Sequence, residues 1–236
     1  MLNLGNLNVK DLFLGSTKVS SAWLGTQKVW PSLPYDSEVE YLESTGGTTY
    51  MLLPLVWSST TRVEVTWQRV NRAGQCLFGC RTSINNSAHV ILKHDRNNDN
   101  LSRLAFSNYI STVYGDWWAG AAIQQRKETV TIDYPTLTMT YSLGTKTIPA
   151  FDASYRNNTT ALFGLGNSTG TGLYSSSQVR IFSFKASDAT GDLYDLVPVR
   201  FLNENGQQEG AMYDKVSKQL FRNKGTGSFT IGPDKV

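Results

Sequence analysis

The chain has 236 residues, of which 40% are apolar, 11% aromatic and 17% charged, and its formal net charge is only +3. That length covers one β-sandwich of ordinary size plus a small appendage, and the abundance of Thr, Ser, Asn and Gly favours strands and turns over helices. Lys and Arg are scattered, which excludes the basic footprint of a nucleic-acid binder, and the lack of an apolar run of about 18 residues excludes a membrane-spanning helix.

MLNLGNLNVK alternates from its first residue, so no basic, apolar secretory leader is read there and folding in the cytoplasm is expected. Residues 1–30 are a gap-free repeat with a period of ten: NLGNLNVK, FLGSTKVS and WLGTQKVW. Leu4-Gly5, Leu14-Gly15 and Leu24-Gly25 recur at one phase, and Val9, Val19 and Val29 at another. Each unit reads as a short strand, a glycine turn and a second short strand. Ordering such a segment costs roughly 1–2 kcal/mol per residue, more than its few apolar side chains return. It therefore needs a partner, with Leu4, Phe13, Leu14, Trp23, Leu24 and Trp30 as contact residues. The partner is either identical copies, with a homotrimer as the preferred stoichiometry, or a docking surface on a larger assembly. The plainer alternative is that the repeats fold back as extra strands on the main domain.

Pro31-Ser32-Leu33-Pro34 reads as a stiff extended spacer, so residues 31–36 are taken as linker and 37–236 as the main domain. Within it, Thr61 to Val70 alternates, with Val63, Val65 and Trp67 on one face and Arg62, Glu64, Thr66 and Gln68 on the other. Leu77 to Gly79, Ala88 to Lys93, Glu128 to Tyr134, Thr136 to Ser142, Ala161 to Leu165 and Val179 to Lys185 continue the strand pattern. Leu143 to Lys146 is expected to be a turn. Leu193, Asp195, Val197, Val199 and Phe201 share a face by period two, and Asn205-Gly206 suits a hairpin turn needing positive φ. Asn223 to Gly227 reads as a turn between Leu220-Phe221 and Phe229 to Ile231. Short strands at regular spacing argue for an all-β, two-sheet antiparallel jelly roll. The two cysteines, Cys76 and Cys80, are too far apart on an extended strand for a disulfide and should be buried thiols.

Tyr114-Gly-Asp116-Trp117-Trp118-Ala-Gly120 is the most suggestive binding stretch. Tryptophan stacks on the C–H face of a sugar ring, a neighbouring aspartate accepts hydroxyl hydrogen bonds, and a glycine-flanked loop would expose both. Two adjacent tryptophans on a strand cannot both face a core, although one buried and one rim tryptophan is the commoner arrangement. His89 and His94 fall on opposite faces of a strand, with no cysteine at ligand spacing, so zinc is not expected. Asp95, Asn97 and Asp99 open like a calcium loop. The stretch lacks glycine at the sixth place and has Phe106 where a bidentate glutamate would close the cage, so a polar hairpin tip is expected. Gly164 to Ser177 has no Gly-Lys-Ser/Thr and reads as a flexible loop, not a phosphate cradle.

The runs DLVPVR at Asp195 to Arg200 and GAMYDKVSKQLFRNKGTGSFTIGP at Gly210 to Pro233 resemble the closing signature of concanavalin A-like (laminin G-like) jelly-roll domains of bacteriophage and prophage virion proteins. VEYLESTGGTTYMLLPL at Val39 to Leu55 resembles the opening signature, with Met51 to Leu55 where the family pattern carries aspartate and glycine. The LG-x-x-K-V repeats resemble N-terminal modules of phage structural proteins. The resemblance implies a concanavalin A-like sandwich preceded by a short β-repeat module, and a virion structural protein, either head fibre or decoration protein or tail adhesin. Residues 1–30 would anchor it to other virion proteins, and a lectin-like body would be displayed at the virion surface. Host-surface polysaccharide at Tyr114, Asp116, Trp117 and Trp118 is one implied partner; a purely architectural role is the alternative. Some laminin G-like domains bind calcium through other loops, which keeps Ca²⁺ as the one cofactor named; no cofactor is otherwise expected. Glu38, Glu40 and Glu43 echo the E-x-D-x-x-E strand of concanavalin A-like glucanases. The middle residue is Glu, not Asp, and Glu43 would point away from Glu38 and Glu40, so a solvated edge strand is expected and no catalytic residue or enzyme activity is assigned.

Overall fold

The computed structural model describes residues 3–4, 7–8, 13–18, 22–24, 27–30, 33–74, 76–81, 88–98, 101–108, 112–119, 126–151, 159–167 and 169–235. Among them there is no helix. Strands β1 (Asn3–Leu4) and β2 (Leu7–Asn8), β3 (Phe13–Leu14) and β4 (Thr17–Lys18), and β5 (Ala22–Leu24) and β6 (Gln27–Trp30) form antiparallel hairpins, one per ten-residue repeat. Leu4 lies opposite Leu7, Leu14 opposite Thr17 and Leu24 opposite Gln27; in the second repeat Gly15-Ser16 make the two-residue turn, with Gly15 at φ 64°. Positive φ at that position is what a tight hairpin demands. Each hairpin is a sheet of its own, and among the described residues none is hydrogen-bonded to the strands that follow.

The following strands are β7 (Ser37–Glu38), β8 (Leu42–Glu43), β9 (Met51–Leu53), β10 (Arg62–Gly74), β11 (Cys76–Arg81), β12 (Ala88–Asn98), β13 (Leu101–Asn108) and β14 (Thr112–Ala119). They continue through β15 (Lys127–Asp133), β16 (Thr138–Tyr141), β17 (Gly144–Thr147), β18 (Thr160–Leu162), β19 (Gly164–Gly166) and β20 (Leu173–Asp188), and end with β21 (Gly191–Leu202), β22 (Gln208–Asp214), β23 (Leu220–Arg222) and β24 (Thr230–Ile231). They make two antiparallel sheets. The larger has twelve strands along the order β17-β16-β15-β10-β20-β21-β22-β23, with β7, β8, β19 and β24 attached; the smaller has six, in the order β14-β13-β12-β11-β18-β9. At one side β17 neighbours β14, and at the other β23 neighbours β9.

Alternation places the core between the sheets. Val63, Val65 and Trp67 of β10 and Val130 and Ile132 of β15 are buried, while Arg62 and Thr129 are exposed. Phe78 of the smaller sheet meets Phe184 of the larger edge to face at 5.6 Å, and stacks on Trp57 at 6.2 Å. Trp57 is fully buried and its indole N–H donates to Thr160 Oγ1 at 2.9 Å, which satisfies the one polar atom that burial would strand. Cys76 and Cys80 are free and buried.

Several expectations are corrected. Gly144 to Lys146 belongs to β17, and the turn before it is Ser142-Leu143, because Tyr141 pairs directly with Gly144. Gly164 to Ser177 is not loop throughout: its two ends supply β19 and the start of β20, which pair with each other. Its glycines are there for close packing, since a Cβ on Gly164 would lie 2.5 Å from the Ser175 carbonyl oxygen. Strand β21 is buried on both faces, not one. Leu196 joins the main core with Met212, whereas Val197, Val199 and Phe201 join Ala211 and Tyr213 in a second cluster on the opposite face. Tyr35 covers that cluster, its ring 4.9 Å from that of Tyr213, so the end of the proline-rich segment is laid onto the body.

Asn223 to Gly227 does separate two strands, β23 and β24, as expected, but these are not paired with each other: β24 pairs with β8. Asn223 Oδ1 accepts from the Tyr50 and Gly225 N–H groups, both at 3.0 Å, and its Nδ2 donates to the Gly227 carbonyl at 2.6 Å. Any Cβ on Gly225 would fall 2.0 Å from the Thr48 oxygen. The glycines are what let loop 223–227 lie against loop 46–50. Val39 bridges Asp234, and Gly232 N–H donates to the Tyr41 carbonyl. The first and last segments of the body thus form one clasp.

Candidate functional site

The tryptophan stretch lies on a strand and not in the expected loop. β14 is the lateral edge of the smaller sheet; Trp117 pairs with Arg103, Trp118 with Ser102 and Tyr114 with Ala105. Between Trp117 and Tyr114, Gly115 and Asp116 oppose the single residue Leu104, a β-bulge. The run of β-branched and aromatic residues favours extended backbone, and the bulge absorbs the glycine that suggested a loop. In the repeats, Leu4, Leu14 and Leu24 each end a first strand, Phe13 lies opposite Lys18, Trp23 opposite Lys28 and Trp30 opposite Ala22.

Two of the three carboxylates near the start of the body, Glu38 and Glu43, are in ion pairs, and Glu40 is exposed. Glu43 accepts from Arg180 at 2.6 Å, and Glu38 lies 3.3 Å from Lys215 and 3.6 Å from Lys235. The expected edge strand is corrected as well: β8 is paired on both sides, to β20 and β24, and β7 pairs with β21. The drive is backbone pairing from the far end of the chain, which the local pattern of glutamates does not reveal. Asp95 to Asn98 continue β12 beside β13, with a shift of register between Arg96 and Asn98, so the stretch read as the opening of a calcium loop is extended backbone up to the Asn98–Leu101 pair. Asp99 and Asn100 lie outside the described residues. His89 and His94 are both on β12. Among the described residues no group of three or more His, Cys, Asp or Glu is placed to hold a metal.

A cleft that the sequence did not signal opens at the other side of the sandwich, where β9 and β23 meet. Its volume is about 400 Å³. Pro54, Leu55, Val56, Leu193, Tyr194 and Phe221 line it with apolar surface, and Ser58, Asp188, Ser217 and Gln219 supply polar groups. Val56 is 60% exposed, an apolar side chain held at the rim, while the Tyr194 and Phe221 rings meet edge to face at 5.8 Å.

Each wall is pinned by its own hydrogen bonds. Thr61 Oγ1 accepts from the Ser58 N–H at 2.8 Å. Asp188 Oδ1 accepts from the Thr190 N–H at 2.7 Å and hydroxyl at 2.6 Å, and these bonds hold its carboxyl below the usual carboxylate range, so it is ionised at neutral pH. The 214–219 turn is organised by Asp214, a fully buried carboxylate. Its Oδ1 accepts from the Asp195 N–H at 2.9 Å and the Val216 N–H at 3.1 Å, and its Oδ2 from the Ser217 N–H at 3.0 Å and hydroxyl at 2.6 Å. Burial, reinforced by the Asp214 charge, raises the Tyr194 phenol above its ordinary value, which keeps it neutral and able both to donate and to accept. No alternation or spacing marks this cleft, because three distant segments build it.

The class defined by these observations is an all-β protein of two antiparallel sheets packed as a sandwich, led by three independent hairpins. Compared with protein-family models and with curated proteins, the chain matches none.

Proposed function

We propose that this chain is a structural protein of a bacteriophage virion, a head fibre or decoration protein or a tail adhesin. Its leading repeats anchor it to other virion proteins and join its copies, preferably three, while the body is displayed at the virion surface. The observation that carries this reading is that every ten-residue repeat closes as its own hairpin, with no ladder to the body among the described residues. A lone two-stranded hairpin is marginal in water, so three in a row gain their stability by packing on something else. The resemblance at both ends of the body adds the phage origin and a concanavalin A-like jelly roll. Symmetric copies would raise the avidity of a weak displayed binder through effective concentration. Host-surface glycan on the edge strand carrying Tyr114, Asp116, Trp117 and Trp118 is the ligand this reading assigns, and no catalytic step is part of it.

Light scattering coupled to size-exclusion chromatography tests the anchor. The full chain is expected to run as an oligomer and a chain of residues 33–236 as a monomer. Two monomers, or two equal oligomers, would refute it.

A further inference from the structure

We propose that the cleft between β9 and β23 is the seat for the third leading hairpin, β5–β6, of a second copy of this chain, with Trp23 against its apolar lining and Lys28 at Asp188. The proposal rests on the reading of the repeats as the part that joins copies, and it names the surface of the body through which they do so. Three observations lead to it.

The first is complementarity. Val56, Tyr194 and Phe221 give the cleft apolar surface, and Asp188 is the one charged residue among those that line it. In the six hairpin strands the only charged residues are Lys18 and Lys28, and the register sets Lys18 opposite Phe13 and Lys28 opposite Trp23. Directly opposed residues share one face of an antiparallel pair, so each of these two hairpins carries an aromatic residue and a lysine together. Hairpin β1–β2, with Asn3 opposite Asn8 and Leu4 opposite Leu7, carries neither. Tryptophan is among the residues that most often anchor protein interfaces, and the volume of about 400 Å³ has room for an indole with the stem of a lysine beside it. The β5–β6 hairpin is also the longest, with strands of three and four residues against two and two in β3–β4, and so offers the larger contact.

The second is what the fold has already used. The Ser217 hydroxyl and Asp188 Oδ1 are engaged within the chain, which leaves little to specify a small polar ligand by hydrogen bonds. The bonds from Thr190 fix the carboxylate without cancelling its charge. A wholly apolar occupant would bury that charge unpaired; a lysine beside an aromatic ring answers both surfaces.

The third is the way the chain enters the body. Tyr35 lies on the cluster at the outer face of β21 and β22, whereas Tyr194 and Phe221 pack on the main core. From Lys28 to Tyr35 the chain spans at most about 25 Å, through Pro31 and Pro34, so its own hairpin would have to round the sheet within a short, stiff reach. A neighbour's hairpin has no such tether. A contact of this head-to-tail kind joins two different surfaces and closes as a ring when the rotation allows, in keeping with three copies.

Exchanging the charges with Asp188→Lys and Lys28→Asp tests this. On the full chain, light scattering over a concentration series is expected to show each variant alone associating about tenfold or more weakly than the parent, because every contact is then like-charged. An equimolar mixture of the two is expected to associate again, since each cleft then meets a hairpin of opposite charge, and recovery by mixing also shows that both variants are folded. Val56→Arg, at a position 60% exposed, and Trp23→Ala should each weaken association as well. Association untouched by Asp188→Lys and Val56→Arg overturns the proposal and leaves the anchor reading, tested by removing the leader, where it stands. Failure of the mixture to recover overturns the choice of a second copy as the source of the hairpin. Loss on Phe13→Ala but not on Trp23→Ala overturns the choice of hairpin, and a monomeric parent removes this proposal and the anchor reading together.

Discussion

Replacing Asp214 by Asn and by Ala separates the charge of a buried carboxylate from its volume. Asp214 is fully buried, and its two oxygens collect four hydrogen bonds, from three backbone N–H groups and the Ser217 hydroxyl. Alanine removes every acceptor. The Val216 and Ser217 donors sit on exposed residues and regain water, whereas Asp195, only partly exposed and just before the first β21–β22 pair at Leu196–Asp214, has its N–H turned to the buried carboxylate. With a buried donor costing about 1–3 kcal/mol when orphaned, and charged bonds worth about 1.5–3 kcal/mol when made, Asp214→Ala should lose about 3 kcal/mol. Asparagine keeps the shape yet turns one oxygen into an NH₂ that faces the Asp195 and Val216 N–H groups in one flip and the Ser217 N–H in the other, where only the rotatable Ser217 hydroxyl can turn to accept. Asp214→Asn should therefore lose nearly as much, where a mere volume effect would cost almost nothing. Chemical denaturation at pH 7, followed by tryptophan fluorescence, reads both variants against the parent at constant m. If asparagine lies within about 0.5 kcal/mol of the parent, below the worth of one such bond, the hydrogen-bonding account of the turn is wrong. The pH dependence follows the same carboxylate. Although burial alone would raise it, the hydrogen bonds from Ser217, Asp195 and Val216 leave its folded value lowered. The stability it contributes is complete above the unfolded carboxylate value of about 3.9 and is lost as pH falls through the folded one. The parent, but neither variant, should show that acid component.

Gly225→Ala would place a Cβ 2.0 Å from the Thr48 oxygen. It should cost about 1–3 kcal/mol by overpacking and speed hydrogen exchange at the Tyr50 N–H, which Asn223 protects; unchanged exchange would show that the two loops are not interlocked. Trp57→Phe leaves a cavity and strands the Thr160 hydroxyl, a loss of about 2–4 kcal/mol in chemical denaturation, and Thr160→Val in the same background should restore part of it. Burial, with Glu38 alongside, pushes the Tyr35 phenol up to about 12. A raised folded value means its stabilisation is intact below the unfolded value of about 10 and fades as pH climbs toward the folded one. Titration at the phenolate absorption band should therefore show a late tyrosine that Tyr35→Phe removes.

What the sequence made legible follows from which forces are local. The alternation from Arg62 to Gln68 and from Glu128 to Ile132 was readable because one face of each strand is buried against a single core. Gly206, at φ 73°, was readable because a five-residue loop closed on the Asn203 side chain needs that conformation. Gly164 to Ser177 looked like a loop because nothing local says that Gly164 and Gly166 are demanded by the Ser175 and Thr159 carbonyl oxygens. The same blindness hid the clasp, whose glycines answer to Thr48. It also hid the second cluster behind β21, whose cover, Tyr35, comes from the linker. The cleft was the least legible feature of all, since neither Val56 nor Gln219 has a meaning until Tyr194 and Phe221 arrive beside them.

The clasp and the second cluster bear on how an anchored chain would carry its body. Tyr35 packs on Tyr213, Asp36 N–H donates to the Arg200 carbonyl, and β7 is stitched to β21. Asp234, four residues after Thr230, binds both the Ser37 hydroxyl and Arg200. The chain therefore enters the body beside the place where it leaves, and the entry is held by the interior strands β21 and β22 instead of a frayed edge. A pull on the leader would load several backbone hydrogen bonds and the Tyr35–Tyr213 ring pair at once, and the cleft between β9 and β23 uses β21 only at Leu193 and Tyr194, before the Pro198 to Arg200 stretch that takes the load. Replacing Tyr35 by Ala should loosen that attachment without altering the cleft. Its expected signature is faster exchange of the Asp36 and Val39 N–H groups with exchange of the Thr190 and Ser217 N–H groups, held by Asp188 and Asp214, unchanged.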